Sequence, residues 1–104
     1  MPWVYMLECR DGSYYVGSTT FLEARVWQHQ QGLGARYTAV RLPVVLAWAL
    51  ECERVDDAYY LEKQIQGWSR AKRRALIEGR FEDLRGLSGS RYRRAAGWSM
   101  DSTR

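Results

Sequence analysis

An Asp-Gly pair lies between two short segments rich in aromatic and β-branched residues, and this pattern constrains the fold more than any other. The two segments are residues 3–10 and 13–18, and Asp11-Gly12 is a strong turn signal between them. Neither segment shows a helical period. The pattern therefore predicts an antiparallel β-hairpin near the start of the chain.

The length of the hairpin loop decides which side chains share a face. A loop of three residues, 10–12, pairs Cys9 with Ser13 and places the odd-numbered residues of both strands on one face. Tyr5 and Tyr15 then lie on the same side of the sheet. A two-residue loop would separate them, and we favour the three-residue loop.

The first helix is predicted just after the hairpin. Residues Thr20 to Glu23 fit a capping box, in which a Thr side chain caps a helix and a Glu follows three residues later. We expect this helix to run from about Phe21 to Gln31, and Gly32 is the residue that ends it.

The remaining elements alternate between loop, strand and helix. Residues 32–43 are predicted as a loop and residues 44–53 as a central strand. Two further helices follow: one is capped by Asp56 or Asp57 and ends near Gly67, and the other covers residues 69–78, with Ser69 as its N-cap and Gly79 as its end. The predicted fold class is α+β, a small three-stranded antiparallel sheet flanked by helices in the order β-β-α-β-α-α.

The chain has 104 residues, which is the size of one domain. We expect a single domain over residues 1–87 and a basic, flexible tail over residues 88–104, which are rich in Gly, Ser and Arg. The longest apolar run has eight residues, whereas a membrane span needs about 20. Because no signal peptide is recognisable either, we expect a cytoplasmic protein.

Positive charge is concentrated near the end of the sequence. The net charge is +4; residues 1–68 carry six Lys or Arg and eight Asp or Glu, and residues 69–104 carry ten and four. A basic segment of this kind favours an anionic partner, and nucleic acid is the commonest one. The alternative is an Arg-rich tail that serves only solubility.

Two tyrosines and a glycine on the hairpin are candidate site residues. Tyr5 and Tyr15 share a face in the predicted register, and Gly17 lies beside them. Tyrosine is common in strands, so the pair alone is compatible with simple packing. Glycine within a strand costs stability and often marks the close approach of a ligand or of another chain segment.

A second candidate pair lies on the first predicted helix. Arg25 and His29 are one turn apart on a face that they share with Leu22 and Val26. The structural alternative is an Arg that extends from the edge of the core beside a hydrogen-bonded His.

Charged residues on the later helices complete the candidates. Glu62 lies on the apolar stripe of the second helix, where a carboxylate needs a cation, either Arg25 or a metal ion. Together with a proton acceptor and a basic surface, these groups meet the needs of phosphodiester hydrolysis. The basic surface is the start of the third helix, which carries Arg70, Lys72, Arg73 and Arg74.

Several of these residues fall in an order that resembles the GIY-YIG nuclease family, in particular its small single-domain bacterial branch. The resemblance covers residues 3 to about 78. The segments that carry it are Val4-Tyr5-Met6, Tyr15-Val16-Gly17, Arg25 and His29 on the first helix, Gly34-Ala35-Arg36-Tyr37-Thr38, and Leu61-Glu62 through Ile65 to Trp68-Ser69-Arg70.

The resemblance implies hydrolysis of DNA phosphodiester bonds with one divalent metal ion. Glu62 would hold Mg²⁺ or Mn²⁺, and Arg25 would stabilise the charge on the phosphorane. Either Tyr5 or Tyr15 would accept a proton from the attacking water, and His29 would relay a proton or bind phosphate. A tyrosine with an ordinary pKa near 10 would need a strong downward shift to act as a base.

Nucleic-acid contacts are predicted for Gly17, whose missing side chain would admit the backbone of the substrate, for Arg36, and for the four cations of the third helix. Because no sequence-reading motif is present, binding should depend on phosphate contacts and nucleic-acid shape, and DNA is favoured over RNA. The alternatives are a nucleic-acid-binding module without useful catalysis and a protein-interaction domain.

Overall fold

The structure begins with an antiparallel hairpin at one edge of a sheet. It is a computed structural model that describes residues 1–80 and 93–94. Strand β1 (Trp3–Glu8) pairs antiparallel with β2 (Tyr14–Thr19) on one side and with β3 (Val45–Glu51) on the other. Strand β2 is therefore an edge strand, whereas β1 lies inside the sheet.

The turn of the hairpin has the predicted three-residue form. The Cys9 N–H donates to the Ser13 carbonyl at 2.8 Å, and Gly12 has a φ of 85°, which only glycine adopts readily. Odd-numbered residues of both strands consequently share a face. The prediction that Tyr5 and Tyr15 lie on the same side is confirmed, and their ring centroids are 6.5 Å apart.

A two-residue strand, β4 (Arg93–Arg94), pairs antiparallel with β3 and extends the three predicted strands. It belongs to the segment 88–104, for which we expected a flexible tail, and the rest of that segment lies outside the described residues. The division into a domain over residues 1–87 and a basic tail therefore remains a prediction.

The described part of the chain contains the three predicted helices and one short additional helix. They are α1 (Leu22–Gln30), α2 (Arg36–Ala39), α3 (Val55–Gln66) and α4 (Arg70–Glu78). The α+β class and the order β-β-α-β-α-α are confirmed. The additional helix, α2, lies in residues 32–43, which were predicted as loop, because four residues are too few to show a period. Across residues 1–80 and 93–94, no helix is long and apolar enough to cross a membrane.

The predicted capping box at the start of α1 does not form. The N-cap residue is Phe21, which makes no side-chain capping bond, and Thr20 and Glu23 are not paired as a box. Instead, the Thr19 hydroxyl oxygen accepts from the Phe21 N–H at 3.0 Å. A Thr hydroxyl thus satisfies the backbone N–H of the N-cap residue itself, whereas the capping box would have satisfied one within the first turn of the helix.

The start of α3 also differs from the prediction, whereas both ends of α4 agree with it. Arg54 is the N-cap of α3, and Asp56 and Asp57 lie in the first turn, where their charges favour the helix dipole. Ser69 caps α4 by accepting a backbone N–H, and Gly79 ends it in the left-handed conformation.

Helices cover both faces of the sheet. On the face of the even-numbered hairpin residues, α3 and α4 form the larger apolar cluster, which contains Val4, Met6, Val16, Trp48, Leu50, Cys52, Ala58, Leu61, Ile65, Ala75 and Leu76. On the opposite face, α1 and the segment before β3 form a smaller cluster, which contains Tyr5, Leu7, Cys9, Leu22, Val44 and Ala49. The predicted site tyrosines therefore belong to the α1 side.

The basic helix α4 is attached to its neighbours by its own cations. Arg73 donates to the carbonyls of Ile65 at 3.2 Å and Gln66 at 2.8 Å, in the last turn of α3. Carbonyls at the end of a helix have no partner within it, so Arg73 acts as a C-terminal cap for α3. Arg70 donates to the Gly12 carbonyl and thereby joins α4 to the hairpin turn.

We predict that Arg73→Ala destabilises the fold and that Arg74→Ala does not. Loss of two charged hydrogen bonds to the end of α3 should lower the free energy of unfolding by about 1–2 kcal/mol. Among the described residues, Arg74 pairs with Glu78 on the surface at 3.3 Å, and its loss should cost less than about 1 kcal/mol. Urea denaturation of both variants tests this, and equal effects would contradict the capping role of Arg73.

Candidate functional site

The Tyr5 hydroxyl reaches the edge strand because the residue opposite it has no side chain. Tyr5 on β1 is the Cα partner of Gly17 on β2. A Cβ atom at Gly17 would lie 2.6 Å from Tyr5 Oη and 2.7 Å from its Cζ, so a larger residue would displace the ring. The glycine that was predicted to admit nucleic acid thus makes room for Tyr5, and its contact with nucleic acid remains a prediction.

A buried chain of hydrogen bonds starts at this hydroxyl. Tyr5 Oη lies 2.9 Å from His29 Nε2, and Nδ1 of the same ring lies 2.8 Å from Thr38 Oγ1. The Thr38 hydroxyl in turn donates to the Ala35 carbonyl at 3.0 Å. The hydrogen bonds connect β1, α1 and α2, and the His29 ring (1% exposed) and the fully buried Thr38 are shielded from solvent.

Burial keeps the two acid–base groups of this hydrogen-bond network, Tyr5 and His29, in their neutral forms. Desolvation, followed by the neighbouring Tyr15, raises the pKa of Tyr5 to about 12, although Arg25 acts in the opposite direction. Desolvation and then the charge of Arg25 lower the pKa of His29. At neutral pH, Tyr5 therefore holds its proton and the uncharged ring of His29 can accept one.

Tyr15 lies on the more open side of the cluster, where a stack of side chains holds it. Its ring centroid is 5.0 Å from that of His29 and 6.1 Å from that of Tyr37, with which it is stacked. The Arg41 guanidinium lies 3.8 Å from the centroid of the Tyr37 ring and forms an ion pair with Asp11 at 3.1 Å. The hairpin turn and the segment around α2 together fix the position of Tyr15.

Glu62 is on α3, which covers the opposite face of the sheet, beside β2. Its Oε1 accepts from the Ser18 hydroxyl at 2.6 Å, and its Oε2 accepts from the Gln66 amide at 2.9 Å and lies 4.0 Å from Lys63 Nζ. The side chain is 14% exposed. Within the described residues, the ion pair between Glu62 and Arg25 that the sequence left open does not form.

The charges of Glu62 and Arg25 act on both tyrosines. After desolvation, Glu62 is the next cause that raises the pKa of Tyr15, and it also contributes to the raised pKa of Tyr5. Arg25 opposes it at both tyrosines. The structure thus brings together, around β2, five predicted site residues: Tyr5, Tyr15, Arg25, His29 and Glu62.

The predicted nucleic-acid-binding cations do not form one group at this cluster. Arg36 is the exposed first residue of α2. On α4, Lys72 Nζ lies 4.8 Å from the centroid of the Trp68 ring, and Arg74 pairs with Glu78. The other two cations of that helix donate to backbone carbonyls, as described above, so all four have partners within the chain.

The comparisons with known proteins identify the family. The GIY-YIG catalytic domain matches residues 1–75. The chain belongs to the GIY-YIG nuclease superfamily. It is similar to a UPF0213 protein of Halobacterium salinarum, with 42% identity over 77 residues that cover 74% of this chain and all of that protein. A UPF0213 protein of Staphylococcus haemolyticus is 40% identical over 78 residues, which cover 75% of this chain and 95% of that one.

A solved structure agrees with the GIY-YIG assignment. The solution NMR structure of the UPF0213 protein BH0048 from Bacillus halodurans matches with a TM-score of 0.50 and 36% identity. The match covers 85% of this chain and 98% of that one. These relatives are almost fully covered by the matched region, so the resemblance to the small members of the GIY-YIG family is confirmed.

Glu62 suits the divalent metal that the GIY-YIG family implies. Each carboxylate oxygen accepts one hydrogen bond, which leaves a lone pair on each for a metal ion. In residues 1–80 and 93–94, no three His, Cys, Asp or Glu side chains are grouped as a metal site. A metal at Glu62 would therefore be bound mostly by water and substrate oxygens, which suits Mg²⁺.

Three residues of this GIY-YIG site were not predicted from the sequence. Gln66 follows Glu62 by one helical turn, so the i,i+4 spacing was an available signal. Ser18 lies on the face of β2 opposite the tyrosines, so the alternation that marked Tyr5 and Tyr15 did not mark it. Thr38 was assigned to a loop, and nothing in the local pattern indicated its contact with His29.

We predict that Gly17→Ala destabilises the protein through Tyr5. Overpacking against the ring should lower the free energy of unfolding by about 1–3 kcal/mol. The control is Gly67→Ala, because Gly67 has a φ of −86° and the nearest atom to an added Cβ is 3.5 Å away. That variant should change stability by less than about 1 kcal/mol. If urea denaturation gives the same change for both, the close approach of Tyr5 to Gly17 is wrong.

We also predict that acid destabilises the fold through His29. Histidine in an unfolded chain has a pKa near 6.5. In the folded protein, desolvation and the charge of Arg25 lower the pKa of His29. The tyrosines that face its ring, Tyr5 and Tyr15, are uncharged. Below about pH 6.5 the unfolded chain thus binds more protons than the folded protein does, so the free energy of unfolding falls as the pH is lowered.

The measurement is urea denaturation between about pH 7.5 and 5.5. Histidine is the only side-chain type whose ordinary pKa lies in this range, and His29 is the one histidine of the sequence. His29→Gln should flatten this dependence, whatever its own stability at neutral pH. An unchanged slope in the variant would show that His29 is not the group responsible.

Proposed function

We propose that this protein is a divalent-metal-dependent endonuclease that hydrolyses nucleic-acid phosphodiester bonds, with DNA favoured over RNA and with little sequence specificity. The observation that supports it is the meeting of a neutral Tyr5–His29 pair with Arg25 and Glu62 around one edge strand. This set provides a proton acceptor, a cation and a metal-binding carboxylate at one place.

The proton acceptor in this proposal is the Tyr5–His29 pair and not a free tyrosinate. A pKa of about 12 leaves almost no Tyr5 anion at neutral pH. As the water oxygen bonds to phosphorus, the water proton passes to Tyr5 Oη and the Tyr5 proton passes to His29 Nε2, 2.9 Å away. The phosphorus–oxygen bond to the leaving group then breaks, and that oxygen takes a proton from solvent.

Arg25 and Glu62 act on the phosphate. The Arg25 guanidinium neutralises the charge that develops on the phosphoryl oxygens, a contribution worth about 3–4 kcal/mol for one such group. Glu62, held by Ser18 and Gln66, presents its carboxylate at the edge of β2. When bound there, Mg²⁺ or Mn²⁺ supplies positive charge that polarises the phosphoryl group.

A groove beside β2 provides the approach to this site. It has a volume of about 350 Å³ and is lined by Tyr14, Tyr15, Val16, Tyr37, Gln66 and Arg73. Because Arg73 lines this groove and Arg70 contacts the hairpin turn, we propose that phosphates of the substrate strand lie near them and that Arg36 on α2 makes a further contact. Contacts of this kind carry little sequence information, which agrees with a structure-directed enzyme.

The test is cleavage of branched, single-stranded and duplex DNA and of RNA, with Mg²⁺, Mn²⁺ or EDTA. We predict that Arg25→Ala lowers kcat by about 10²–10³ and that Glu62→Gln abolishes cleavage, while both variants keep the fold. The matched controls are Arg54→Ala and Glu23→Gln, which change exposed charges at the N-cap of α3 and in the first turn of α1 and should remain active.

Binding assays on the same substrates separate the alternatives. Binding without cleavage by the unmodified protein, under every metal condition, would contradict the enzyme and support a nucleic-acid-binding module. Full activity of Glu62→Gln would remove the role of Glu62 in metal binding. Absence of both binding and cleavage would favour the protein-interaction domain.

A further inference from the structure

The Thr38 hydroxyl has one proton and two close neighbours. Its Oγ1 lies 3.0 Å from the Ala35 carbonyl oxygen and 2.8 Å from His29 Nδ1. A carbonyl can only accept a hydrogen bond, whereas a ring nitrogen of histidine can either donate or accept. Both contacts are hydrogen bonds only if Thr38 donates to Ala35 and accepts from His29.

This assignment fixes the proton on the ring of His29. A neutral imidazole carries one N–H, and here it is on Nδ1, so Nε2 has a free lone pair. The Tyr5 hydroxyl, 2.9 Å from Nε2, must then be the donor of that bond. The other tautomer would place a proton on Nε2, point it at Tyr5 Oη, and leave the Tyr5 proton without an acceptor on the ring.

We propose that Thr38 is a positioning residue of the site: its hydroxyl holds His29 in the Nδ1–H tautomer and so makes Nε2 the atom that receives the Tyr5 proton. The catalytic part of this inference rests on the proposed nuclease function. The tautomer itself does not, because it follows from the contacts of Thr38 alone.

The surroundings of Thr38 hold its hydroxyl beside Nδ1 of the His29 ring. Gly34 permits the close approach, since a Cβ there would lie 2.5 Å from His29 Nδ1. The Thr38 carbonyl accepts from the Arg41 N–H at 3.0 Å, and the Arg41 guanidinium donates to the Tyr37 carbonyl at 3.0 Å. These bonds fix both sides of α2 around a side chain that is itself completely buried.

A packing role alone would not require a hydroxyl at this position. Valine has nearly the shape of threonine and would fill the same space, but it offers no acceptor for the Nδ1 proton. Thr38→Val and Thr38→Ser therefore form a matched pair: the first keeps the shape and removes the oxygen, and the second keeps the oxygen and removes a methyl group.

The test is the ¹⁵N NMR signal of the His29 ring, which is easily assigned because the chain has one histidine. At neutral pH the unmodified protein and Thr38→Ser should carry the proton on Nδ1. In Thr38→Val the proton should move to Nε2, so the two nitrogen shifts interchange. A proton on Nε2 in the unmodified protein, or one that stays on Nδ1 in Thr38→Val, would overturn the proposal.

Cleavage kinetics provide the second readout. Thr38→Val should lower kcat by tenfold or more with little change in KM, and Thr38→Ser should retain most of the activity. If the ring proton moves in Thr38→Val while kcat is unchanged, the positioning role is wrong. If the unmodified protein does not cleave at all, the proposed nuclease function fails, whereas the NMR result still decides the tautomer. If Thr38→Val does not fold, the NMR measurement on the unmodified protein still tests which nitrogen of His29 carries the proton.

Discussion

The pairing of Tyr5 with Gly17 across the hairpin is the contact on which the site depends. It follows from the turn, where the positive φ of Gly12 closes a three-residue loop and sets the register of the two strands. A shift of one residue would turn Tyr5 to the face that α3 and α4 cover. With this register, the missing side chain of Gly17 lets the Tyr5 hydroxyl extend over the edge strand and meet His29.

The same turn also anchors the segment that completes the site. Asp11 pairs with Arg41, and the Arg10 N–H donates to the Arg41 carbonyl at 3.0 Å. Each contact is weak by itself, because an exposed ion pair contributes at most about 1 kcal/mol and a single hydrogen bond contributes about 1 kcal/mol. Several of them acting on a short segment restrict its movement. The hairpin turn therefore positions Tyr5 through the strands and Thr38 through the segment around α2.

The parts of this arrangement that the sequence predicts are those in which burial repeats with a regular period. The alternation along β1 and β2 gave the shared face of Tyr5 and Tyr15, and the helical spacing gave the common face of Arg25 and His29. Thr38 could not be found in this way, since α2 has only four residues and its bond to His29 joins two elements. Tertiary contacts of single polar groups leave no periodic signal.

Two predictions were incomplete because a residue type does not reveal its partner. The strand glycine did indicate a close approach, and the group that the structure brings close to it is Tyr5. In the same way, the composition of α4 showed that Arg73 is charged but not that it caps α3. Sequence gives the chemical capacity of such a side chain, whereas its use depends on which neighbours the fold supplies.

A structural role for the cations of α4 does not remove their effect on a charged substrate. Arg70 and Arg73 donate to backbone carbonyls, which carry no net charge, so the field of each guanidinium persists outside the protein. Arg74 differs, because the carboxylate of Glu78 neutralises most of its field. At physiological ionic strength such fields extend over about 8 Å. If the proposed function is correct, Arg70 and Arg73 thus still attract phosphate to the neighbouring groove while they hold α4 in place.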